Sequence, residues 1–177
     1  MPRSIFAKMN ILLQQCAANP GLSTDDLATL VREQQLDEFR VFKAVGDGVA
    51  EDYCQVATIR RTLYLLADLG LVVVDPACTV TDAGTSALDD YSRSLGTAVA
   101  DHLQTAHGVS LSTIRKAISD IKTRQAATVP SAQQIYEELQ VQRAFRQPMS
   151  VSRFVTLLNL LGHCGVVHWF IKKYYWA

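Results

Sequence analysis

The stretch that decides the fold is CQVATIRRTLYLLADLGLVVVDPACTVTDAG, residues 54–84. Apolar residues recur at helical spacing from Val56 to Leu66, and Gly70 follows them as a stop signal. LVVVD then has the composition of a β-strand, Asp75-Pro76 predicts a turn, and CTVT predicts a returning strand. The sequence therefore predicts a helix, over roughly residues 52–69, followed by a β-hairpin.

After this hairpin, Thr81 or Asp82 is placed to cap a further helix, DAGTSALDDYSRSL. The order of helix, hairpin and a T-x-x-G helix resembles bacterial winged-helix regulators such as the MarR and PadR families. The resemblance implies that the helix enters the major groove of DNA and that the hairpin is the wing. It leaves open whether this copy reads DNA or holds other proteins.

Three apolar-periodic segments precede this stretch. The first runs from Ile5 to Ala18 and is stopped by Asn-Pro-Gly. Ser23 or Thr24 caps the second, TDDLATLVREQQ, whose two early aspartates suit the helix dipole. The third, EFRVFKAV at 38–45, ends at Gly-Asp-Gly and is interpreted as another helical segment.

The second half of the sequence repeats this plan. Residues 55–74 align without a gap on residues 150–169 at an offset of 95, which places Gly70 on Gly165. Any two amphipathic helices can be aligned in this way, but here the glycine and the apolar strand after it agree as well. The pattern therefore favours a duplicated unit.

A second alignment covers the segments upstream of these helices. At an offset of 87, Gly21 falls on Gly108 and Ser23 falls on Ser110. The difference of eight residues between the two offsets predicts an insertion before the second recognition-type helix. The predicted fold is mainly α with short β-hairpins, and it consists of two winged-helix units in tandem, residues 1–93 and 94–177.

The second unit has room for only a minimal wing. Its expected parts are the strand VVHWF, a turn near Lys172-Lys173 and a final strand YYWA. Because this end of the chain is rich in aromatic residues, we expect it to pack on the other unit or on a partner.

Charge is divided unevenly between the two halves. Residues 1–93 carry eight Lys/Arg against thirteen Asp/Glu, whereas residues 94–177 carry nine against four. The balances of −5 and +5 cancel to the formal net charge of zero. A neutral total argues against coating of nucleic acid or membrane by bulk charge, but the split predicts that a polyanion prefers the second half.

The second unit supplies most of the candidate DNA contacts. They comprise Arg143 and Arg146 in the loop before the recognition-type helix, and Ser152, Arg153, Thr156 and Asn159 on the outward face of that helix. Lys172 and Lys173 at the wing and Arg115 and Lys116 on the preceding helix complete the set. Cations around a small polar face are what the positioning of phosphates needs. A solvated basic face, or one that docks on an acidic surface, is the alternative.

The first unit offers a second, weaker set on its recognition-type helix. Its outward residues are expected to be Gln55, Thr58, Arg61 and Thr62, with Arg60 at the flank. Gln can pair with adenine and Arg with guanine. However, Glu51 and Asp52 precede the helix, and the tip Asp75-Pro76-Ala77 has no cation, so the approach to phosphates is unfavourable.

Other classes of function find little support in the sequence. The four cysteines are far apart, no catalytic or metal-binding motif is present, and no apolar run is long enough to cross a membrane. We therefore expect a non-enzymatic, cytoplasmic protein with no cofactor, no metal and no membrane partner.

Two functions remain. The first is a DNA-binding protein, with double-stranded DNA as its partner, that acts in transcriptional regulation or another DNA transaction. A homodimer or a larger protein complex is its expected assembly. The second is an architectural adaptor whose winged helices contact proteins within a larger complex. The adaptor would be similar to the winged-helix subunits that bind kleisins in chromosome-organising complexes or to those of membrane-sorting complexes.

Overall fold

A computed structural model describes residues 4–45, 48–124 and 130–167. Over these residues the chain is mainly helical, with eight α-helices and two small antiparallel two-stranded hairpins. The prediction of a mainly helical chain with short hairpins is confirmed at this level. The chain divides into two compact units, Met1–Ser94 and Leu95–Ala177.

The first unit contains four helices, a single 3-10 turn and both hairpins among its described residues. In chain order they are α1 (Ile5–Ala18), α2 (Thr24–Glu33), the 3-10 turn (Asp37–Phe39), β1 (Arg40–Val45), β2 (Gly48–Tyr53), α3 (Val56–Asp68), β3 (Val72–Val73), β4 (Thr79–Val80) and α4 (Asp82–Asp89). The apolar stripes of α1, α2 and α3 are buried together and form its core.

The prediction of a helix over 38–45 is wrong. Only Asp37–Phe39 is helical, as a 3-10 turn, and β1 then pairs antiparallel with β2, with Phe42 opposite Glu51. Valine and phenylalanine favour a strand here, and the Gly-Asp-Gly that follows is a hairpin signal that outweighs the apolar periodicity. As a result α3 begins at Val56, later than expected.

The second unit is built from helices over its described part. The division between units falls within α5 (Tyr91–His107), which is followed by α6 (Leu111–Arg124), α7 (Ala132–Val141) and α8 (Val151–His163). The buried residues of this unit include Val99, Ile114 and Phe154, one from each of α5, α6 and α8. Ser131 and Gln134 form a capping box at the start of α7, which fixes where that helix begins.

Helices α3 and α8 have the same length and the same ending. Each has 13 residues, and their bounds are 95 residues apart at both ends. Gly70 follows α3 with φ of 70° and Gly165 follows α8 with φ of 69°. This left-handed conformation suits glycine, which has no Cβ to clash with the backbone.

The upstream helices match in the same way. Ser23 accepts a hydrogen bond from the backbone N–H of Asp26 at 3.1 Å, and Ser110 accepts one from Thr113 at 3.1 Å. Both pairs are 87 residues apart, as the second alignment requires. Gly21 and Gly108 have φ of 91° and 75°, so both turns use the left-handed region.

The connection between α2 and α3 in the first unit differs from the connection between α6 and α8 in the second unit. In the first unit, the 3-10 turn and the β1–β2 hairpin connect α2 to α3. In the second, the described part of the connection contains α7 and the loop that follows it. The predicted insertion before α8 therefore includes a helix, α7, that has no counterpart among the described residues of the first unit.

The T-x-x-G motif has a direct steric basis. The Thr81 hydroxyl accepts a hydrogen bond from the Gly84 N–H at 3.0 Å and donates to the Gly70 carbonyl at 2.7 Å. A Cβ at Gly84 would lie 2.0 Å from the carbonyl oxygen of Leu71. The motif thus holds the start of α4 tightly against the end of α3 and the start of the β3–β4 hairpin.

Candidate nucleic-acid interface

The outward face of α3 is open to solvent. Gln55 precedes the helix as its N-cap, and Gln55, Thr58, Arg61 and Tyr64 are all exposed. Thr62 was expected on this face but is buried, and its hydroxyl donates to the Thr58 carbonyl at 3.1 Å. The face is therefore polar toward the start of α3 and aromatic further along.

The two arginines of α3 have different surroundings. Arg60 forms an ion pair with Asp25 in the first turn of α2, at 2.8 Å. Among the described residues Arg61 has no hydrogen-bond or ion-pair partner, and its side chain is exposed. Arg61 is thus the guanidinium that α3 can offer to a ligand.

The acidic residues before α3 are already paired with cations. Glu51 and Asp52 lie in β2, where Arg40 pairs with Glu51 and both Lys43 and Arg32 pair with Asp52. The hydrogen bond from Lys43 is the main cause that lowers the pKa of Asp52 to about 2, and the backbone N–H of Tyr53 contributes as well. The negative charge that the sequence places before α3 is therefore largely neutralised by these neighbouring cations.

The outward face of α8 is more covered than that of α3. Ser150 caps α8 by accepting a hydrogen bond from the Arg153 N–H at 3.3 Å. Ser152 is exposed, but Arg153, Thr156 and Asn159 are each only partly accessible. The Thr156 hydroxyl donates to the Ser152 carbonyl at 2.9 Å, so part of its polarity is used within the helix.

Arg143 and Arg146 lie in the loop between α7 and α8, and both are exposed. The backbone of Arg146 is fixed, because its N–H donates to the carbonyl of His107 at 2.9 Å. Neither guanidinium makes a hydrogen bond or an ion pair with any described residue. These two arginines are therefore available cations on a loop whose backbone is held in place.

The remaining second-unit cations have separate roles. Arg115 donates a hydrogen bond to the Val166 carbonyl at 3.1 Å and so links α6 to the segment after α8. Lys116 is exposed on α6. Arg124 pairs with Glu138 of α7, which lowers the pKa of that carboxyl. Lys172 and Lys173, and the wing expected there, lie outside the described residues.

Sequence reasoning missed two features at the surface of the first unit. The β1–β2 hairpin exposes apolar side chains, with Phe42 49% and Val49 70% accessible, and Tyr64 on α3 is 48% accessible. The Gly-Asp-Gly between two β-prone runs was the signal that could have revealed the hairpin.

It also missed a cavity of about 360 Å³ in the second unit, between α7 and the loop after it. Arg143 and Arg146 stand among its lining residues, together with three apolar or aromatic side chains of the same loop. No motif in the sequence signals this cavity, because its lining comes from side chains that meet only when α7 and the loop fold back on each other.

Metal and membrane sites find no support in the part of the chain that the structure describes. No group of three or more His, Cys, Asp or Glu side chains there could hold a metal ion. None of the described helices combines the length and the apolar character needed to cross a bilayer. None of the four cysteines forms a disulfide, and burial is the main cause that raises the pKa of Cys16 to about 12.

No protein family model matches the chain, and the comparisons with curated proteins and with solved structures found no similar protein.

Proposed function

We propose that this chain is a non-enzymatic protein that binds double-stranded DNA through two winged-helix units, in transcriptional regulation or another cytoplasmic DNA transaction. In each unit the recognition helix would be the one that ends at the left-handed glycine, α3 or α8. In the first unit the β3–β4 hairpin would be the wing. The resemblance rests on this order of elements and on the packing of α2 against α3.

One observation carries the proposal: Arg143 and Arg146 are exposed in the loop before α8, and neither guanidinium has a hydrogen-bond or ion-pair partner among the described residues. Cations that are not already paired with carboxylates can neutralise phosphates and release the counterions condensed on DNA. Ser152, which carries a small hydroxyl, is also exposed at the start of α8. Backbone contacts of this kind fix the register of a helix on the duplex.

The first unit supplies an auxiliary surface. Gln55, Thr58 and Arg61 have the donors and acceptors that read base edges in the major groove. Because Glu51 and Asp52 are paired within the hairpin, they oppose this approach less than their formal charges suggest. We therefore assign phosphate positioning to the second unit and base contact to both.

The test is the binding of a fluorescently labelled duplex over a range of salt concentrations. We expect binding that weakens steeply with salt, and we expect Arg143→Gln/Arg146→Gln to lower the slope of log K against log salt by about 2, roughly 0.9 for each lost phosphate contact. Lys122→Gln is the control, because Lys122 is also an exposed cation of the second unit. No measurable affinity for the duplex at low salt would contradict the proposal.

A second candidate function is an adaptor that contacts proteins. The observation in its favour is the exposure of Phe42 and Val49 on the paired strands of the β1–β2 hairpin, together with the separate exposure of Tyr64 on α3. Exposed apolar side chains that cluster on a surface are typical of interaction sites. Stable co-purification with a larger partner, lost in Phe42→Ser/Val49→Ser and combined with no DNA affinity at low salt, would select this function instead.

A further inference from the structure

The cavity of the second unit has an interior and a rim. The interior includes the buried or half-buried side chains of Tyr136, Phe145 and Met149, and the rim is formed by the exposed Arg143 and Arg146. Its volume of about 360 Å³ falls within the range of about 300–1,000 Å³ that is typical of small-molecule sites. It is lined by Tyr136, Gln140, Arg143, Phe145, Arg146, Pro148 and Met149. The lining therefore contains two cations, aromatic and aliphatic surface, and no carboxylate.

The interior of the cavity is held in place by neighbouring groups. The Tyr136 hydroxyl donates to the Met149 carbonyl at 2.6 Å and accepts from the Gln140 side chain at 2.9 Å. The rings of Tyr136 and Phe145 lie 5.3 Å apart, and each also contacts the buried ring of Phe154. The phenolic group is thus already satisfied, and the aromatic surface is preorganised for a flat apolar group.

The rim has two cations whose charge no described residue neutralises. Among the described residues Arg143 and Arg146 have no ion-pair partner, as noted above. The Arg146 backbone is fixed to His107, and its side chain passes over Gly108, where a Cβ would come within 2.6 Å of it. Guanidinium groups can bind phosphate or carboxylate oxygens in a bidentate manner.

Arg143 has an uncommon backbone conformation. It has φ of 52°, in the left-handed region, directly after α7. At the ends of α1, α3, α5 and α8 the left-handed residue nearby is glycine (Gly21, Gly70, Gly108 and Gly165), whereas at the end of α2 it is Gln35, with φ of 50°. Among the described residues, Arg143 and Gln35 are thus the two non-glycine residues that adopt this conformation.

We propose that this cavity binds a small organic phosphate whose phosphate group is attached to a planar apolar ring. The ring would lie against Phe145 and Tyr136, and the phosphate would accept hydrogen bonds from Arg143 and Arg146. A phosphate monoester carries close to two negative charges at neutral pH and so matches two guanidinium groups better than a carboxylate does. This binding does not depend on the proposed DNA-binding function.

The experiment is a calorimetric titration of the full chain, without DNA, with four probes: phenyl phosphate, benzoate, inorganic phosphate and phenol. Phenyl phosphate is expected to bind at least tenfold more tightly than inorganic phosphate or phenol, because only it engages both the ring surface and the rim. Benzoate, with one charge, is expected to bind several-fold more weakly than phenyl phosphate. Equal affinity for phenyl phosphate and phenol, or no binding of phenyl phosphate, would overturn the proposal.

Two variants separate the rim from the interior. Arg143→Gln/Arg146→Gln is expected to weaken phenyl phosphate at least tenfold, and glutamine is tolerated at such a backbone position because Gln35 has φ of 50°. Phe145→Leu keeps an apolar side chain but removes the flat ring, so it should weaken phenyl phosphate several-fold and leave inorganic phosphate unchanged. Lys122→Gln, at an exposed lysine outside the lining, is the control. Unchanged affinity in both variants, with melting temperatures near that of the wild type, would refute the assignment.

Discussion

Helices α3 and α8 have the same backbone frame but different surfaces. Both have 13 residues, and the buried positions Ile59, Leu63 and Leu66 of α3 match Phe154, Leu158 and Leu161 of α8 at an offset of 95. Their outward faces differ, because that of α3 is open whereas that of α8 is only partly accessible. The buried positions therefore keep the same helix length and packing pattern, whereas the solvent-facing positions can differ between the two units.

The connections before these two helices extend the comparison. The first unit has a hairpin with exposed Phe42 and Val49, and the second has α7 and a loop with exposed Arg143 and Arg146. An apolar projection suits a protein surface, whereas unpaired arginines suit an anion. The two connections thus differ in surface chemistry, apolar in the first unit and cationic in the second.

The largest expected effect is at Gly84, which belongs to the first unit. Gly84→Ala should lower the free energy of unfolding by up to about 3 kcal/mol, because the new Cβ overlaps the backbone carbonyl of Leu71. Chemical denaturation monitored by circular dichroism measures this. Ser86→Ala, at an exposed position of the same helix, is the control and should stay close to the wild type. Equal stability of the two variants would show that α4 is not held as described.

The next effect tests whether the two helix ends are equivalent. Gly70→Ala and Gly165→Ala should each cost about 1–2 kcal/mol, because both residues have φ near 70° and both positions offer open space for a Cβ. Denaturation of the two variants side by side checks the comparison. A cost at Gly70 with none at Gly165 would mean that the second end does not require the left-handed conformation.

A smaller effect of opposite sign is expected at Arg143. Arg143→Gly should leave stability unchanged or raise it by about 0.5 kcal/mol, because glycine relieves the left-handed strain while adding freedom to the unfolded chain. The same variant should lose affinity for phenyl phosphate. Thermal unfolding and titration of one sample measure both quantities. A loss of stability above about 1 kcal/mol would instead give Arg143 a structural role.

The smallest effect concerns Asp52 and Glu138, whose carboxylates form ion pairs in the segments that connect α2 to α3 and α6 to α8. The pKa of Asp52 is lowered from 3.8 to about 2 in the folded chain, so the stabilisation from its contacts is present above about pH 4 and is lost as the pH falls toward 2. NMR signals of the β1–β2 hairpin should report this loss, and Asp52→Asn should remove the dependence. The pKa of Glu138 is also lowered, mainly by Arg124, so contacts to α7 should weaken on acidification in the same direction.

Many of the helix ends could be predicted because they depend on local signals in the sequence. Ser23, Thr81 and Gly70 mark helix ends through hydrogen bonds and backbone conformation within a few residues of each. The segment 38–45 was misassigned because its apolar residues fit both a helical and a strand pattern, and only pairing with β2 decides between them.

The candidate site was harder to predict for a related reason. That Arg143 and Arg146 are exposed follows from a polar loop, but the cavity beside them requires Tyr136 of α7 to meet Met149 across the loop. The pairing of Asp52 with Lys43 and Arg32 likewise depends on the register of the hairpin. Contacts of this kind are set by tertiary packing, which no short stretch of sequence encodes.

The most direct test of the central claim compares the two units in duplex binding. Arg143→Gln/Arg146→Gln and Thr58→Ala/Arg61→Gln are titrated with the same DNA at several salt concentrations. The account predicts that the second-unit variant lowers the salt slope by about 2 and the first-unit variant by about 1 or less, because the proposed function assigns most phosphate contacts to the second unit. A larger change in the first-unit variant, or no binding by the wild type at low salt, would contradict it.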